Sequence, residues 1–193
     1  MRLFIAVEFE KEVIAALCSF YDELRARADK LRFVPMENLH LTLFFLGNTQ
    51  ENKVEEINNA LQSIGENNSP FKLELNNRLA TFDARNPARV VWVGVKNGLS
   101  ALQHLQTMIA AAMHNIGFLR TEKTYIPHIT IARDVHFKDA VVRYDGEINE
   151  QQDIAMPPML VSEFALISSI LVPESGKHVY KTLATFSLKY KEK

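Results

Sequence analysis

Cysteine, glycine and proline are all scarce in this chain of 193 residues. Cys18 is the only cysteine, so no disulfide can form within the chain and nothing points to an oxidising compartment. With seven glycines and seven prolines, no Pro-, Gly- or Ser-rich linker divides the sequence, which favours one bilobal domain over residues 1–193. Hydrophobic residues make up 47% and charged residues 23%, which excludes a disordered or collagen-like chain.

Long apolar runs and an excess of one charge are missing as well. The apolar opening at residues 3–7 meets Glu8 and Glu10 almost at once, too early for a signal peptide or a membrane span. We therefore expect a cytoplasmic protein without a membrane partner. The net charge of −1 argues against a protein that coats long stretches of duplex, because such proteins carry a basic excess. A nucleotide or a nucleic-acid end is still compatible with this charge.

Hydrophobic periodicity predicts strands interspersed with helices. Strands are predicted at residues 2–8, 39–46, 71–75, 89–95, 126–133, 160–172 and 179–189. Helices are predicted at residues 13–24, 54–64 and 99–116, with a capping box at Asn48 and Glu51 and a left-handed stop at Gly117. This order predicts an α+β fold of two pseudo-symmetric lobes, in which antiparallel-rich sheets face a central cleft and helices lie on the outside. The order of the strands within the sheets is not predicted.

Two short segments are nearly the same. Residues 40–43 read His-Leu-Thr-Leu and residues 128–131 read His-Ile-Thr-Ile. On a strand, the histidine and the threonine of each segment project from one face and the apolar residues from the other. The histidines and threonines of this chain would produce about 0.3 His-x-Thr by chance, so a matched pair is a specific signal.

The paired motifs suit acid and base chemistry at a phosphate. An imidazole titrates near neutral pH, so one histidine can accept a proton while the other donates one. Opening a cyclic phosphodiester needs this pair, a base for the attacking water and an acid for the departing sugar oxygen. Threonine hydroxyls can hold the nonbridging oxygens, and this scheme needs no metal. Zinc binding by the two histidines is less favoured, because neither motif has a third ligand at metal spacing.

Longer segments around the motifs resemble a known family. Residues 32–47 and 127–133 are similar to the two signatures of the 2H phosphoesterase superfamily, and more closely to its bacterial and archaeal RNA 2′,3′-cyclic phosphodiesterases, once described as 2′-5′ RNA ligases. The opening at residues 2–7, the strand at residues 91–95, and Tyr180 with Leu183 also fit. The resemblance implies hydrolysis of a terminal 2′,3′-cyclic phosphate to a 2′-phosphomonoester, with no cofactor.

The resemblance also implies roles for single residues. By this analogy His40 is the proton donor and His128 the proton acceptor, although the sequence itself does not assign the two roles. Thr42 and Thr130 would bind phosphate oxygens. Arg133 would add positive charge, but strict alternation along the strand puts it on the face opposite to His128.

One position departs from the family pattern. The family often has Glu-Ser before the last turn, whereas this chain has Ser168 and Ser169.

Phe44 shares strand parity with His40, so it can stack on a base or simply pack in the core. Basic residues precede both motifs, as a solvated surface or as a cationic rim that attracts RNA, at Arg27, Lys30, Arg32, Arg120 and Lys123.

The remaining candidates are interpreted as structural. Cys18 lies on an apolar helix stripe and is expected in or near the core. The other histidines have no partner motif and are expected to be structural or solvent-facing: His104, His114, His136 and His178.

Three functions stay open from the sequence. The first is the metal-independent cyclic phosphodiesterase, acting on RNA ends or small cyclic nucleotides. A binding module could instead hold the same ligands without turnover. A third alternative runs the same transition state in reverse and joins ends through a 2′-5′ linkage. No protein partner is implied, and a monomer is expected.

Overall fold

The computed structural model describes residues 1–83, 85–119, 124–138, 148, 154–174 and 176–190, with Lys177 described by its backbone alone. Within these residues the strands are β1 (Arg2–Glu8), β2 (Ala28–Phe33), β3 (His40–Asn48), β4 (Phe71–Thr81), β5 (Ala88–Asn97), β6 (His128–Phe137), β7 (Met159–Val161), β8 (Glu163–Val172) and β9 (Lys177–Ser187). The α-helices are α1 (Lys11–Arg27), α2 (Val54–Asn67) and α3 (Leu99–Asn115).

The strands form two antiparallel sheets. One has four strands in the order β3-β1-β8-β9, and the other has five in the order β2-β6-β5-β4-β7. Each motif strand begins a matching series, β3-β1-β8 in one sheet and β6-β5-β4 in the other, so the sheets are related by pseudo-symmetry. The predicted α+β class with antiparallel sheets is confirmed. The two halves are not consecutive in sequence, because the chain crosses between the sheets several times.

Strand β1, one of the two central strands of the four-stranded sheet, is buried on both faces. Leu3 and Ile5 project into the main hydrophobic core. Phe4 and Ala6 project to the opposite face and form a second, smaller cluster with Ala165. His40, the first motif histidine, packs against this second cluster, because its ring contacts the ring of Phe4.

The helices cover the outer faces of the sheets, as predicted. α1 packs on β2 and β6, α2 packs on β8 and β9, and α3 contacts β3 and β4. Leu17 of α1, Leu61 of α2 and Ile109 of α3 are fully buried, and burial of each stabilises the fold by about 1.5–3 kcal/mol. Among the described residues, no helix has the length and apolar character needed to cross a bilayer.

Helix ends were predicted correctly in one case and wrongly in another. Gly117 follows α3 with a φ of 94°, a conformation that glycine adopts without strain, so the predicted stop is confirmed. The predicted capping box is wrong, because Asn48 pairs with Arg2 in the β1–β3 ladder. A short 3₁₀ turn at Glu51–Lys53 precedes α2, and the N-cap Lys53 makes no side-chain capping hydrogen bond.

Two further strand assignments differ from the sequence prediction. β2 was missed, because its side chains are only partly buried or exposed and it shows no clear apolar alternation. The predicted strand at residues 160–172 is two strands in different sheets. β7 pairs with β4, whereas β8 pairs with β1 and β9, and the chain changes sheets at Ser162. The polar residues Ser162 and Glu163 mark the junction in the sequence, and the prediction passed over this short break.

Candidate active site

A cleft of about 410 Å³ lies where the two motif strands meet. β3 and β6 belong to different sheets but contact each other. His40 and Thr42 line the cleft from β3, and His128 and Thr130 line it from β6. The structure therefore brings the four motif residues together.

The β6 side is tied to the β3 side by a hydrogen bond. Tyr125, three residues before His128, donates its hydroxyl to the backbone carbonyl of Thr42 at 3.0 Å. This contact joins the segment that leads into one motif to the backbone of the other. It helps to fix the spacing between the two motifs.

Both histidine rings are oriented in the same way by the backbone. Nδ1 of His40 donates to the carbonyl of Asn38 at 2.7 Å, and Nδ1 of His128 donates to the carbonyl of Ile126 at 2.8 Å. A carbonyl only accepts, so each Nδ1 carries a hydrogen. In the neutral ring the lone pair then lies on Nε2, the nitrogen that can exchange a proton. For His40, the Thr42 hydroxyl donates to Nε2 at 3.0 Å.

The surroundings of His40 disfavour its charged form. Its ring packs on Phe4 and Tyr180, with ring centroids 4.7 and 5.3 Å away. The pKa of His40 is lowered to about 4, mainly by burial; the hydrogen bond to Asn38 opposes this shift, and the charges of His128 and Arg133 add to it. In the unliganded protein His40 is therefore neutral at pH 7.

A β-bulge in β3 reverses the predicted facing of two phenylalanines. In the pairing with β1, Ile5 lies opposite Phe44 and Ala6 opposite Thr42, so one extra residue, Leu43, stands between them. Phe44 is consequently 4% exposed in the core, whereas Phe45 is 47% exposed and lines the cleft. The prediction that Phe44 shares the face of His40 was wrong.

A matching bulge in β6 determines where Arg133 faces. In the pairing with β5, Val91 lies opposite Ala132 and Trp92 opposite Thr130, which leaves Ile131 as the extra residue. Strict alternation fails there, and Arg133 lines the cleft. Phe45 and Arg133 are thus equivalent positions, each five residues after its motif histidine.

The cleft is strongly cationic. Arg2 and Arg32 line it together with Arg133, and none of the described residues that line it is acidic. Nε of Arg32 donates to a carboxylate oxygen of Asp134 at 2.9 Å, and this bond holds the pKa of Asp134 below its usual range. A low-dielectric cleft with this charge attracts anions. Arg32 was predicted as part of a cationic rim, whereas Arg2 was not predicted.

The wall formed by β8 and β9 was largely missed. Ser169, His178 and Tyr180 line the cleft there, and the Ser169 hydroxyl lies 2.8 Å from Nδ1 of His178. His178 is exposed to solvent, as expected, but its place on the wall of the cleft was not predicted. His178 and Tyr180 share a face at strand spacing, which was the available signal, while Ser168 is buried.

Other predicted positions lie away from the cleft or are not described. Arg120 and Lys123 fall outside the described residues. Cys18 is partly buried against the main core, as expected. In the part of the chain that the structure describes, no three His, Cys, Asp or Glu side chains lie close enough to hold a metal ion.

Two pseudo-symmetric sheets that each present a His-x-Thr motif to one cationic cleft define the two-histidine, or 2H, phosphoesterase class. The chain belongs to the 2′-5′ RNA ligase superfamily, whose model matches residues 14–169. The resemblance seen in the sequence is thereby confirmed.

Named relatives cover nearly the whole chain. An RNA 2′,3′-cyclic phosphodiesterase of Methanocaldococcus jannaschii is 32% identical over 173 residues, 90% of this chain and 94% of that protein. One of Thermotoga maritima is 32% identical over 185 residues, 95% of this chain and 93% of that protein. Among solved structures, a Thermus thermophilus protein has a TM-score of 0.79 at 26% identity, covering 97% of this chain and 98% of its own. Escherichia coli LigT in complex with 3′-AMP has a TM-score of 0.78 at 25% identity and 98% coverage of both chains.

Proposed function

We propose that this protein hydrolyses RNA 2′,3′-cyclic phosphate ends to 2′-phosphomonoesters, without a metal, by acid and base catalysis from His40 and His128. The observation that carries the proposal is the pair of histidines in one cationic cleft, each with Nδ1 hydrogen-bonded to a backbone carbonyl. Two relatives with about a third of their residues in common with this chain are named for the same reaction.

The proposed roles follow from the geometry of displacement at phosphorus. The attacking water and the departing 3′ oxygen lie on opposite sides of phosphorus in an in-line reaction. His128 takes the proton from water and His40 gives a proton to the 3′ oxygen, so two facing histidines match the two sides. Each role contributes about 10²- to 10⁴-fold to the rate. The Thr42 and Thr130 hydroxyls, with the Arg133 guanidinium, hold the nonbridging oxygens as charge develops.

The donor role of His40 requires a proton that the protein surroundings alone do not favour. Burial and the nearby positive charges lower the pKa of His40 to about 4 in the unliganded protein. A bound phosphate brings a negative charge beside His40, which favours its protonated form and raises its pKa. Substrate binding therefore favours protonation of His40, and Nε2 is the nitrogen that carries the added proton.

The nucleoside lies on the leaving-oxygen side, which is the His40 side of the cleft. Phe45 is the exposed aromatic residue of that side. We assign to Phe45 the base-stacking role that the sequence suggested for Phe44, since stacking on an aromatic ring tolerates every base. The substrate class is accordingly an RNA end or a small cyclic nucleotide.

An assay in EDTA tests the proposal. The protein is incubated with an oligoribonucleotide that ends in 2′,3′-cyclic phosphate, and the products are identified by end-group analysis. We expect a 2′-phosphate product at a rate unaffected by the chelator. His40→Ala and His128→Ala each lower turnover at least 10²-fold, whereas His114→Ala, on the exposed end of α3, leaves turnover unchanged.

Three outcomes would contradict specific parts of the proposal. A folded protein that binds the oligonucleotide without product is a binding module. A 3′-phosphate product would mean that the 2′ oxygen departs, and loss of activity in EDTA would mean that a metal takes part.

A further inference from the structure

The cleft has more positive charge than a reaction at one phosphate uses. Of the three arginines that line it, Arg133 holds the reacting phosphate in the proposed mechanism. Arg32 donates to the carboxylate of Asp134, which offsets its charge. In the part of the chain that the structure describes, the side chain of Arg2 makes no hydrogen bond and no ion pair. The charge of Arg2 is therefore available to a ligand.

Arg2 lies beside the wall formed by β8 and β9. Ser169 of β8 is opposite Arg2 of β1 on one side and opposite Tyr180 of β9 on the other. Burial raises the pKa of Tyr180, and the positive charges of Arg133 and Arg2 oppose this rise. Both guanidinium groups therefore lie near the Tyr180 phenol, one from each sheet.

A hydrogen-bonded pair on this wall always retains one donor. Oγ of Ser169 lies 2.8 Å from Nδ1 of His178. The neutral imidazole has one N–H and the hydroxyl has one O–H, and the bond between them uses only one of the two hydrogens. If Ser169 donates, the N–H lies on Nε2 of His178; if His178 donates, the O–H of Ser169 is left. With the charge of Arg2, this donor suits an ionised phosphate, which only accepts hydrogen bonds.

Asn38 fixes the position of the wall relative to the first motif histidine. Its carbonyl accepts from Nδ1 of His40 at 2.7 Å, and its side-chain amide donates to the backbone carbonyl of His178 at 3.0 Å. Tyr180 packs on His40, and His178 lies two residues from Tyr180 on the same face of β9, about 6–7 Å along the strand. Consecutive phosphates of an extended RNA strand are separated by a comparable distance.

We propose that Arg2, Ser169 and His178 form a second phosphate site, which binds the phosphodiester on the 5′-oxygen of the terminal nucleoside. This inference rests on the proposed function, in which that nucleoside lies on the His40 side of the cleft. One ribose then connects the cyclic phosphate at the motifs to the 5′-phosphate at the wall. The protein should therefore select the end of an RNA chain over a nucleoside 2′,3′-cyclic phosphate, although both carry the same reacting group.

Substrate selectivity tests the second site. The value of kcat/KM is measured for adenosine 2′,3′-cyclic phosphate, for an adenosine dinucleotide with the same cyclic end, and for that dinucleotide with an uncharged methylphosphonate linkage. We expect the wild type to prefer the charged dinucleotide to the other two about tenfold or more. Equal use of the two dinucleotides would mean that the protein reads the additional nucleoside, and would overturn the site. A preference for adenosine 2′,3′-cyclic phosphate with a 5′-phosphate over the dinucleotide would overturn the RNA chain as its ligand.

Variants assign the selectivity to side chains. Arg2→Gln should lower the ratio of kcat/KM for the charged dinucleotide to that for the methylphosphonate about tenfold, and Ser169→Ala or His178→Ala should lower it about threefold. His178→Ala keeps the backbone carbonyl that binds Asn38. Lys181→Gln removes a positive charge on the opposite face of β9 and should leave the ratio unchanged. Equal ratios in Arg2→Gln and the wild type would mean that Arg2 contributes only general charge, and the second site would be wrong.

Equilibrium binding separates this site from the proposed function. Isothermal titration calorimetry with 2′-phosphate dinucleotides, one with a phosphodiester and one with a methylphosphonate linkage, needs no turnover. The wild type should bind the charged dinucleotide about tenfold more tightly, and Arg2→Gln should lose this difference. If the difference appears but no cyclic phosphate is hydrolysed, the hydrolase is overturned and the second phosphate site stands. Hydrolysis without the difference would overturn the second site and leave the hydrolase standing.

Discussion

Two histidines in the same four-residue motif have different surroundings. His40 lies between Phe4 and Tyr180 in a largely buried position, whereas the edge of the exposed Phe82 contacts His128. The Tyr180 phenol beside His40 is itself partly buried, and burial raises its pKa. The motif thus specifies residue type and orientation, and the neighbours specify how readily each ring accepts a proton.

The lowered pKa of His40 predicts a loss of stability in mild acid. The unfolded chain binds a proton at His40 below about pH 6.5, while the folded protein binds it only near pH 4. Stability from this group is therefore complete above pH 6.5 and is lost as the pH falls towards 4. Between pH 7.5 and 4.5 we expect the wild type to lose about 2 to 3 kcal/mol more than His40→Gln.

Urea unfolding of both proteins at the two pH values measures this difference, and His104→Gln, on the exposed face of α3, is the matched control. Equal pH dependence in the wild type and His40→Gln would mean that folded His40 titrates at its ordinary pKa.

At the scale of elements, the bulges in β3 and β6 decide which residues reach the cleft. In each bulge the extra residue is the last residue of the motif, Leu43 or Ile131, and this turns the fifth residue after the histidine towards the cleft. One strand thereby supplies Phe45 and the other Arg133. The same backbone irregularity provides an aromatic surface in one half of the cleft and a positive charge in the other.

Neighbouring phenylalanines in β3 test the effect of the bulge. Phe45→Ala should raise KM for a cyclic-phosphate oligonucleotide about tenfold, because one base loses its stacking partner. It should change the free energy of unfolding by no more than about 0.5 kcal/mol. Phe44→Ala should instead destabilise the fold by about 3 to 5 kcal/mol and leave KM unchanged in the protein that remains folded. Steady-state kinetics and denaturant titration measure both, and the opposite assignment of effects would refute the bulged register.

These strands also show how far sequence reasoning reaches. The long periodic helices α1 and α3 and the motif strands were predictable, because their apolar spacing repeats over many residues. The extra residues Leu43 and Ile131 were not, since both are apolar like their neighbours and alternation assumes an unbroken ladder. The position of His178 was also hidden, because it depends on the pairing of β8 with β9. The two histidines and two threonines of the motifs could be predicted as site residues without knowledge of the bulges or of the strand pairing.

At the scale of the whole molecule, charge is distributed unevenly. The chain has a net charge of −1, yet Arg2, Arg32 and Arg133 line a cleft without acidic side chains among its described residues. Negative charge elsewhere on the surface keeps the overall balance. A cleft with this charge attracts anions such as phosphate, while the net charge of the chain argues against binding along long stretches of nucleic acid.

The concentrated charge predicts a salt-dependent reaction. The value of kcat/KM for an oligonucleotide should fall as ionic strength rises from about 50 to 300 mM, because salt screens the attraction. Arg133→Gln should lower kcat/KM and flatten this dependence. Lys53→Gln removes the same charge at a salt bridge with Glu56 near the start of α2 and should leave both unchanged. Identical salt slopes for Arg133→Gln and the wild type would contradict electrostatic steering by the cleft.

The position of β1 between β3 and β8 has a consequence for biosynthesis. While the ribosome makes the chain, both motif histidines are present long before β8 and β9, which complete the first sheet and supply the wall with Tyr180. A nascent chain is surrounded by RNA at this stage, but its His40 half still lacks two strands. The wall of the cleft with Tyr180 is therefore synthesised after both motif strands.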